Sequence, residues 1–258
     1  MKTAKTVLVT GATAGFGWAI AQRFVAEGHR VIAVGRRAEW LAELMAAVEP
    51  GDRARLWTGT LDVRDTAAIA GLAARLPEAF AQVDVLVNNA GLALGLGKAH
   101  EADLAQWDQM IATNVTGLAH MTRAFLPGMV ARGRGHVVNL GSVAANYPYP
   151  GGNVYGATKA FVHQFSLNLR ADLLGTPIRV TCVEPGLCSG TEFSVVRFAG
   201  DVDKAAAVYT GTQAITAEDV AEAVFWAVQM PAHVNVNTLE LMPTCQAFAP
   251  FAIHRNPT

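Results

Sequence analysis

Apolar runs of four to six residues alternate with amphipathic stretches from one end of the chain to the other. The runs predict strands at Thr6–Val9, Arg30–Val34, Ala54–Trp57, Asp84–Asn88, Gly135–Leu140, Arg179–Val183 and Leu239–Met242. Between them, apolar side chains recurring at helical spacing predict helices near 16–28, 37–48, 65–76, 103–131, 154–174 and 216–230. Continuous Val, Leu and Ile runs mark strands buried on both faces, and intervening helices make such a sheet parallel. The expected class is α/β, a doubly wound, seven-stranded parallel sheet with helices on both faces. No repeat, low-complexity tract or linker interrupts the pattern, so residues 1–258 are expected to form a single domain. Ligands of such sheets bind beyond the carboxyl ends of the strands, near the point where strand order reverses. Gly11 follows the first predicted strand, Asn88 ends the fourth and Ser142 follows the fifth, so chemistry-bearing residues gather at that edge.

Composition narrows the choice of partner. Hydrophobic residues make up 52% of the chain and charged ones 16%, enough for a large core. A net charge of −1 leaves no electrostatic footprint for nucleic acid or an anionic membrane surface. No stretch approaches the roughly 18 uninterrupted apolar residues of a membrane span. The N-terminal MKTAKTVLVTGA runs straight into a glycine turn, so it reads as a first strand and not as a secretion signal. Cys182, Cys188 and Cys245 form neither a disulfide framework nor a ligand cluster, which fits a reduced, cytoplasmic setting. The seven histidines show no metal-ligand spacing, and no metal is expected.

The segment TGATAGFG, Thr10 to Gly17, joins a predicted strand to a predicted helix. In that context a glycine-rich turn can cradle a diphosphate against backbone N–H groups at the helix N-terminus, although a purely structural turn has the same composition. Its spacing differs from the ordinary G-x-G-x-x-G fingerprint. A carboxylate at the end of the second strand would bind the ribose 2′-hydroxyl of NAD, but VIAVGRR ends in Gly35, Arg36 and Arg37. Arginine offers a planar, permanently charged fork suited to a phosphate, so NADP(H) is expected over NAD. For Arg37 the alternative is an arginine that merely opens the next helix in solvent.

Tyr155 and Lys159, in NVYGATKAF, stand on one face of a predicted helix, roughly 6 Å apart. A neighbouring ammonium favours phenolate, so the tyrosine pKa is expected to fall below its usual value of about 10. Tyr155 is then a proton donor and acceptor near neutral pH. Asn114 lies within the apolar stripe of the helix from Asp103, where a buried amide needs hydrogen-bond partners. It is either a structural asparagine or the holder of a water beside the reacting proton.

Taken in order, TGATAGFG, LDV at Leu61–Val63, NNAG at Asn88–Gly91, Asn114, Ser142, YGATK and EPG at Glu184–Gly186 resemble the classical short-chain dehydrogenase/reductase family, from about Lys5 to Pro243. The resemblance implies a Rossmann-type fold with Tyr155 as general acid/base, Ser142 as hydrogen-bond partner of the substrate oxygen and Asn114 in a proton relay. Lys159 would hold the nicotinamide ribose. It also implies cofactor contacts by Gly11, Thr13, Ala14, Gly15, Phe16, Gly17, Asp62, Val63, Asn88, Ala90, Gly91, Pro185, Gly186, Leu187 and Thr191. Thr191 stands five residues after Gly186, one more than the family's usual spacing. The stretches GGNVYGATKAFVHQFSLNLRADL, EPGLCSGTEFS and PAHVNVNTLELMP are similar to the branch of NADP-dependent 3-hydroxy acid dehydrogenases. That implies oxidation of the hydroxyl of a small acid such as L-allo-threonine, serine or 3-hydroxypropionate, or reduction of the matching semialdehyde. The same branch is similar to reductases of sulfoacetaldehyde and malonic semialdehyde. A bulkier ketone as substrate, or a nucleotide-sensing protein without chemistry, are the rival readings. An acid group calls for a cation, and Arg197 is the expected anchor, with Tyr147, Tyr149 and Phe193 narrowing the pocket or packing loops. Outward apolar residues Phe161 and Phe165 suggest an interface, and the resemblance implies a homotetramer.

Overall fold

The computed structural model describes residues 4–248. Seven strands form one sheet: β1 Thr6–Thr10, β2 Arg30–Gly35, β3 Leu56–Thr60, β4 Val85–Asn88, β5 Gly135–Leu140, β6 Ile178–Pro185 and β7 Thr238–Leu241. Their order is β3-β2-β1-β4-β5-β6-β7, and every neighbouring pair is parallel. The helices are α1 Gly15–Ala26, α2 Ala38–Ala47, α3 Thr66–Ala70, α4 Leu72–Arg75, α5 Leu104–Ile111, α6 Leu118–Ala131, α7 Asn153–Asp172, α8 Phe193–Arg197, α9 Val202–Ala207 and α10 Ala217–Gln229. This is the Rossmann-type architecture expected, and the order reverses between β1 and β4.

The period-two geometry of a strand explains why unbroken apolar runs were needed. Val7 and Val9 of β1 point into a core under α1, α2 and α10, with Val31, Ala33, Val85 and Val87. Leu8, Ile32 and Leu86, one residue out of phase, enter the opposite core with Met121, Phe125 and Leu169 of α6 and α7. A polar residue at either parity would be buried without water.

One sheet margin departs from expectation, whereas β7 at the other lies within a residue of it. The third strand was expected at Ala54–Trp57, but Arg53–Arg55 form a 3-10 turn and the ladder with β2 runs from Leu56 to Thr60. An edge strand is held by backbone hydrogen bonds to one neighbour, so its half-exposed Trp57, Thr58 and Gly59 carry no continuous apolar signal. The helix expected at 65–76 breaks at Gly71 into α3 and α4 and stops before Pro77, which forces Leu76 to an extended ψ of 135°. The helix expected over 103–131 is interrupted by a π-helical segment, Ala112–Gly117. Two short helices unforeseen in the sequence, α8 and α9, occupy the connection after β6.

Candidate active site

The strand termini around the reversal point carry the site. Gly11, at φ +67°, turns the chain out of β1, and a Cβ on Gly17 would lie 2.4 Å from the Gly11 carbonyl oxygen, so only glycine permits this packing. Helix α1 then starts at Gly15 with Ala14 as its cap, and no side chain accepts from its first amides. A helix N-terminus left uncapped over a glycine cradle has free N–H groups and positive potential for an anion. Thr13 and Gly35 meet at the floor of this groove, where a Cβ on Gly35 would be 2.5 Å from the Thr13 methyl. Thr191 lies across the mouth, its Cγ2 3.1 Å from where a Gly15 Cβ would be. Its altered spacing in the sequence thus still delivers it to the turn. These residues fit a dinucleotide diphosphate.

The two arginines after β2 separate. Arg36 is exposed, and its charge acts on Asp62, which is itself paired with Arg64 at 2.6 Å. Arg37 is engaged by Glu192 through two hydrogen bonds of 3.0 and 2.7 Å and also donates to Thr13 Oγ1. It is neither the solvent arginine nor a free phosphate ligand of the sequence reading. A long-range partner 155 residues away leaves no local mark.

In NNAG the amides have different tasks. The Asn88 side chain, expected along the cofactor, donates instead to Thr122 Oγ1 and Asn139 Oδ1, both at 2.9 Å, and so ties β4 to β5 and α6. Asn89, which sequence reading passed over, donates to the carbonyls of Thr10 and Gly11 and holds the glycine turn. Thr10 Oγ1 in turn accepts from the amides of Asn89 and Ala90. The repeated Asn was a signal for this, because successive residues of an extended chain face opposite ways. The backbone of Gly91 passes between Asn114 and Lys159, 3.3 and 3.6 Å from where its Cβ would stand. At the far side, Leu187 N donates to Gln246 Oε1 at 2.7 Å, a support for the Pro185–Gly186–Leu187 turn also absent from the sequence reading.

Asn114 sits in the π-helical segment, a form whose irregular hydrogen bonding often accompanies functional sites. Its Oδ1 accepts from Leu92 N at 2.9 Å, and its Nδ2 donates to Leu92 O and Thr158 Oγ1. The side chain is a clamp between the β4 loop and α7, and both of its amide hydrogens are taken by protein acceptors.

Tyr155, Thr158, Lys159 and Ser166 share the buried face of α7. Lys159 Nζ donates to Leu140 O at 2.8 Å and lies 5.9 Å from the Tyr155 ring centroid. Burial pushes the lysine down to about 8. Burial also pushes the Tyr155 phenol above its ordinary range, against weaker opposing pulls from Ser142 and Arg197. This corrects the expected fall: in the protein alone, desolvation outweighs the Ser142 hydrogen bond and the Arg197 charge, and the phenol stays protonated. Ser142 accepts from Ala144 N at 3.1 Å and faces Pro185 O at 3.4 Å. The fold also gathers His163, Cys182 and Glu184 behind Gly141, with potential ligand atoms within 4.8 Å, although their spacing in sequence suggests nothing. The fully buried Glu184 is there satisfied by His163 at 2.7 Å and Asn146 at 3.0 Å, while burial pushes the Cys182 thiol up to about 12. These hydrogen bonds knit the three side chains together.

Helix α8 covers Tyr155. Phe193 meets the tyrosine edge-on at 5.7 Å, and the Arg197 guanidinium lies 5.5 Å from the same ring. Arg197 Nη2 donates to Tyr149 OH at 2.7 Å, and no carboxylate pairs with it among the described residues. Tyr147, expected in the pocket, turns away: its hydroxyl donates to Glu240 at 3.3 Å and its ring packs on Phe248. One residue of a loop separates the two tyrosines into opposite directions, which spacing alone does not reveal.

The chain is 60% identical over 250 residues to the NADP-dependent 3-hydroxy acid dehydrogenase YdfG of Salmonella typhi, covering 97% of this chain and 99% of that protein. It is 53% identical to sulfoacetaldehyde reductase 2 of Chromohalobacter salexigens, covering 97% and 98%. The closed form of a serine dehydrogenase complexed with NADP+ superimposes with a TM-score of 0.94 at 57% identity, over 97% of this chain and 100% of that one. With the short chain dehydrogenase pattern matched across residues 5–201, the chain belongs to the short chain dehydrogenase family.

Proposed function

We propose that the protein is an NADP(H)-dependent oxidoreductase interconverting a small 3-hydroxy acid and its 3-oxo or semialdehyde form. The single observation that carries the substrate class is Arg197, a guanidinium without a carboxylate partner held directly over the Tyr155 ring. An acid group bound there in bidentate fashion stands a few bonds from an oxygen beside Tyr155. The 60% identity to a 3-hydroxy acid dehydrogenase supports the same reading.

When bound, NADP(H) would supply or receive a hydride at the carbon bearing that oxygen. Gly11, Thr13, Gly15 and Gly17 would cradle its diphosphate, Arg36 would supply charge for its 2′-phosphate, and Lys159 would hold its nicotinamide ribose. Tyr155 then gives a proton to the substrate oxygen on reduction and takes it on oxidation. Ser142 hydrogen-bonds the same oxygen, and the Lys159 charge favours phenolate when oxidation requires it. Phe193 keeps water from the reacting carbon. The 53% identity to a sulfoacetaldehyde reductase favours a second reading, in which Arg197 binds a sulfonate.

With NADP+ as oxidant, we expect turnover of L-allo-threonine, serine or 3-hydroxypropionate, at least tenfold faster than with NAD+. Activity with isethionate alone would select the sulfonate reading, and turnover of bulky ketones alone would remove both.

We also propose a cytoplasmic homotetramer. Among the described residues no helix is long and apolar enough to cross a membrane, and the three cysteines are free. Leu104, Ile111, Phe161 and Leu167 are exposed on α5 and α7, and Phe161 stacks on Phe165 at 5.6 Å, an apolar face suited to self-association. Light scattering should return four times the 27.3 kDa chain mass, and a monomer would overturn this assembly. Cell fractionation checks the location.

A further inference from the structure

The segment from Leu187 through α8 crosses the site as a strap fastened at both ends. At one end Arg197 bonds Tyr149 and Gly95 O, and Gly95 N returns a bond to Arg197 O at 3.2 Å. At the other end Glu192, the residue immediately before α8, places its two carboxylate oxygens on the fork of Arg37. Arg37 is itself immobilised: it donates to Thr13 Oγ1 at 3.2 Å and stacks over Trp40 at 4.6 Å. The pair raises the Arg37 pKa and lowers that of Glu192, each shift owed first to their mutual hydrogen bonds. Most ion pairs this exposed contribute little. A bidentate pair on a pre-stacked arginine is the exception, because little side-chain freedom is lost when the contact forms.

We propose that Glu192 is a positioning residue that closes α8 over the substrate through Arg37, so that the paired arginines of GRR divide their work. Arg36, exposed and without a carboxylate within bonding distance among the described residues, serves the cofactor phosphate; Arg37 serves the lid. The latch reaches from the end of β2 in the cofactor half to α8, whose Phe193 and Arg197 lie on Tyr155. Closure is thereby tied to the same turn that carries Thr13, and the substrate half is assembled from the cofactor half. What the lid covers rests on the hydroxy acid reading; that it is latched does not.

The test separates the two. In the free protein, hydrogen–deuterium exchange of the amides of Val196, Phe198 and Gly200, which bond within the strap, reports its opening. Glu192→Gln and Arg37→Gln should each raise their exchange by about threefold to fivefold, and the double variant should exceed neither single one. The exchanged pair Arg37→Glu with Glu192→Arg should restore protection. In the loaded enzyme Glu192→Gln should raise the KM of the hydroxy acid by a similar factor and leave the NADP+ to NAD+ preference unchanged. Arg36→Gln should lower that preference without altering exchange. Unchanged exchange in the single variants, or additive effects in the double variant, would overturn the latch. Tighter NADPH binding in Glu192→Gln, read by cofactor fluorescence, would show that Glu192 competes with the phosphate for Arg37 and would overturn the division of work. If exchange responds as expected but no hydroxy acid is turned over, the latch stands and the substrate reading fails.

Discussion

Tyr155→Phe is expected to lower kcat by about 10²- to 10⁴-fold while the protein folds normally and still binds NADPH. The phenol ring does structural work that phenylalanine preserves: it packs with Leu92, Met110 and Ala144 and receives Phe193 at 5.7 Å. Only the hydroxyl is removed, and with it the proton that burial holds on the oxygen. Steady-state kinetics and NADPH fluorescence measure the two quantities separately. A variant with more than a tenth of the parent kcat would show that the proton comes from elsewhere. Loss of NADPH binding would show that the hydroxyl serves the cofactor and not the substrate oxygen.

Lys159→Met is expected to be nearly inactive and yet more stable than the parent. Burial lowers the lysine from 10.5 to about 8, so keeping it charged at pH 7 costs the folded state about 3 kcal/mol. Methionine keeps the volume of the side-chain stem and gives up the bond to Leu140 O, worth about 1 kcal/mol. The net gain is about 2 kcal/mol at pH 7. Between pH 8 and 10.5 the folded wild type binds fewer protons than the unfolded chain, so its stability rises with pH through this group. The variant lacks that contribution, and its advantage should shrink to about 1 kcal/mol at pH 9. The burial-raised Cys188 opposes the trend equally in both proteins, while Cys182 is coupled to Lys159, so the difference between them reports the lysine together with that coupling. Urea titrations at pH 7 and 9 measure it. A less stable variant at pH 7 would mean that Lys159 is held for structural reasons and not at the expense of stability.

The elements that were legible are those whose chemistry is local. Unbroken apolar runs located β1, β2, β4, β5 and β6 to within a residue or two, because each must satisfy both cores at once. The glycine turn and the Tyr155–Lys159 pair were legible because a tight turn and one helical face need only a few neighbouring residues. Less was legible where the determinant lies far along the chain. Edge strand β3 takes its register from β2, and within the break at Ala112–Gly117 Asn114 is held by Leu92 and Thr158, 22 and 44 residues away. The short α8 and α9 escape notice because helices of five and six residues carry too few apolar positions to show a period.

From the residues alone came the parallel α/β sheet, the glycine turn between β1 and α1 and the shared helical face of Tyr155 and Lys159. Only the tertiary structure decided that Arg37 belongs to Glu192, that Asn89 and not Asn88 steadies the turn, and that Tyr149 and not Tyr147 meets Arg197. It also reversed the direction of the Tyr155 shift. The physical reason is common to all four. Periodicity and turn chemistry act between residues a few positions apart, whereas desolvation and side-chain pairing depend on what the fold brings in from elsewhere.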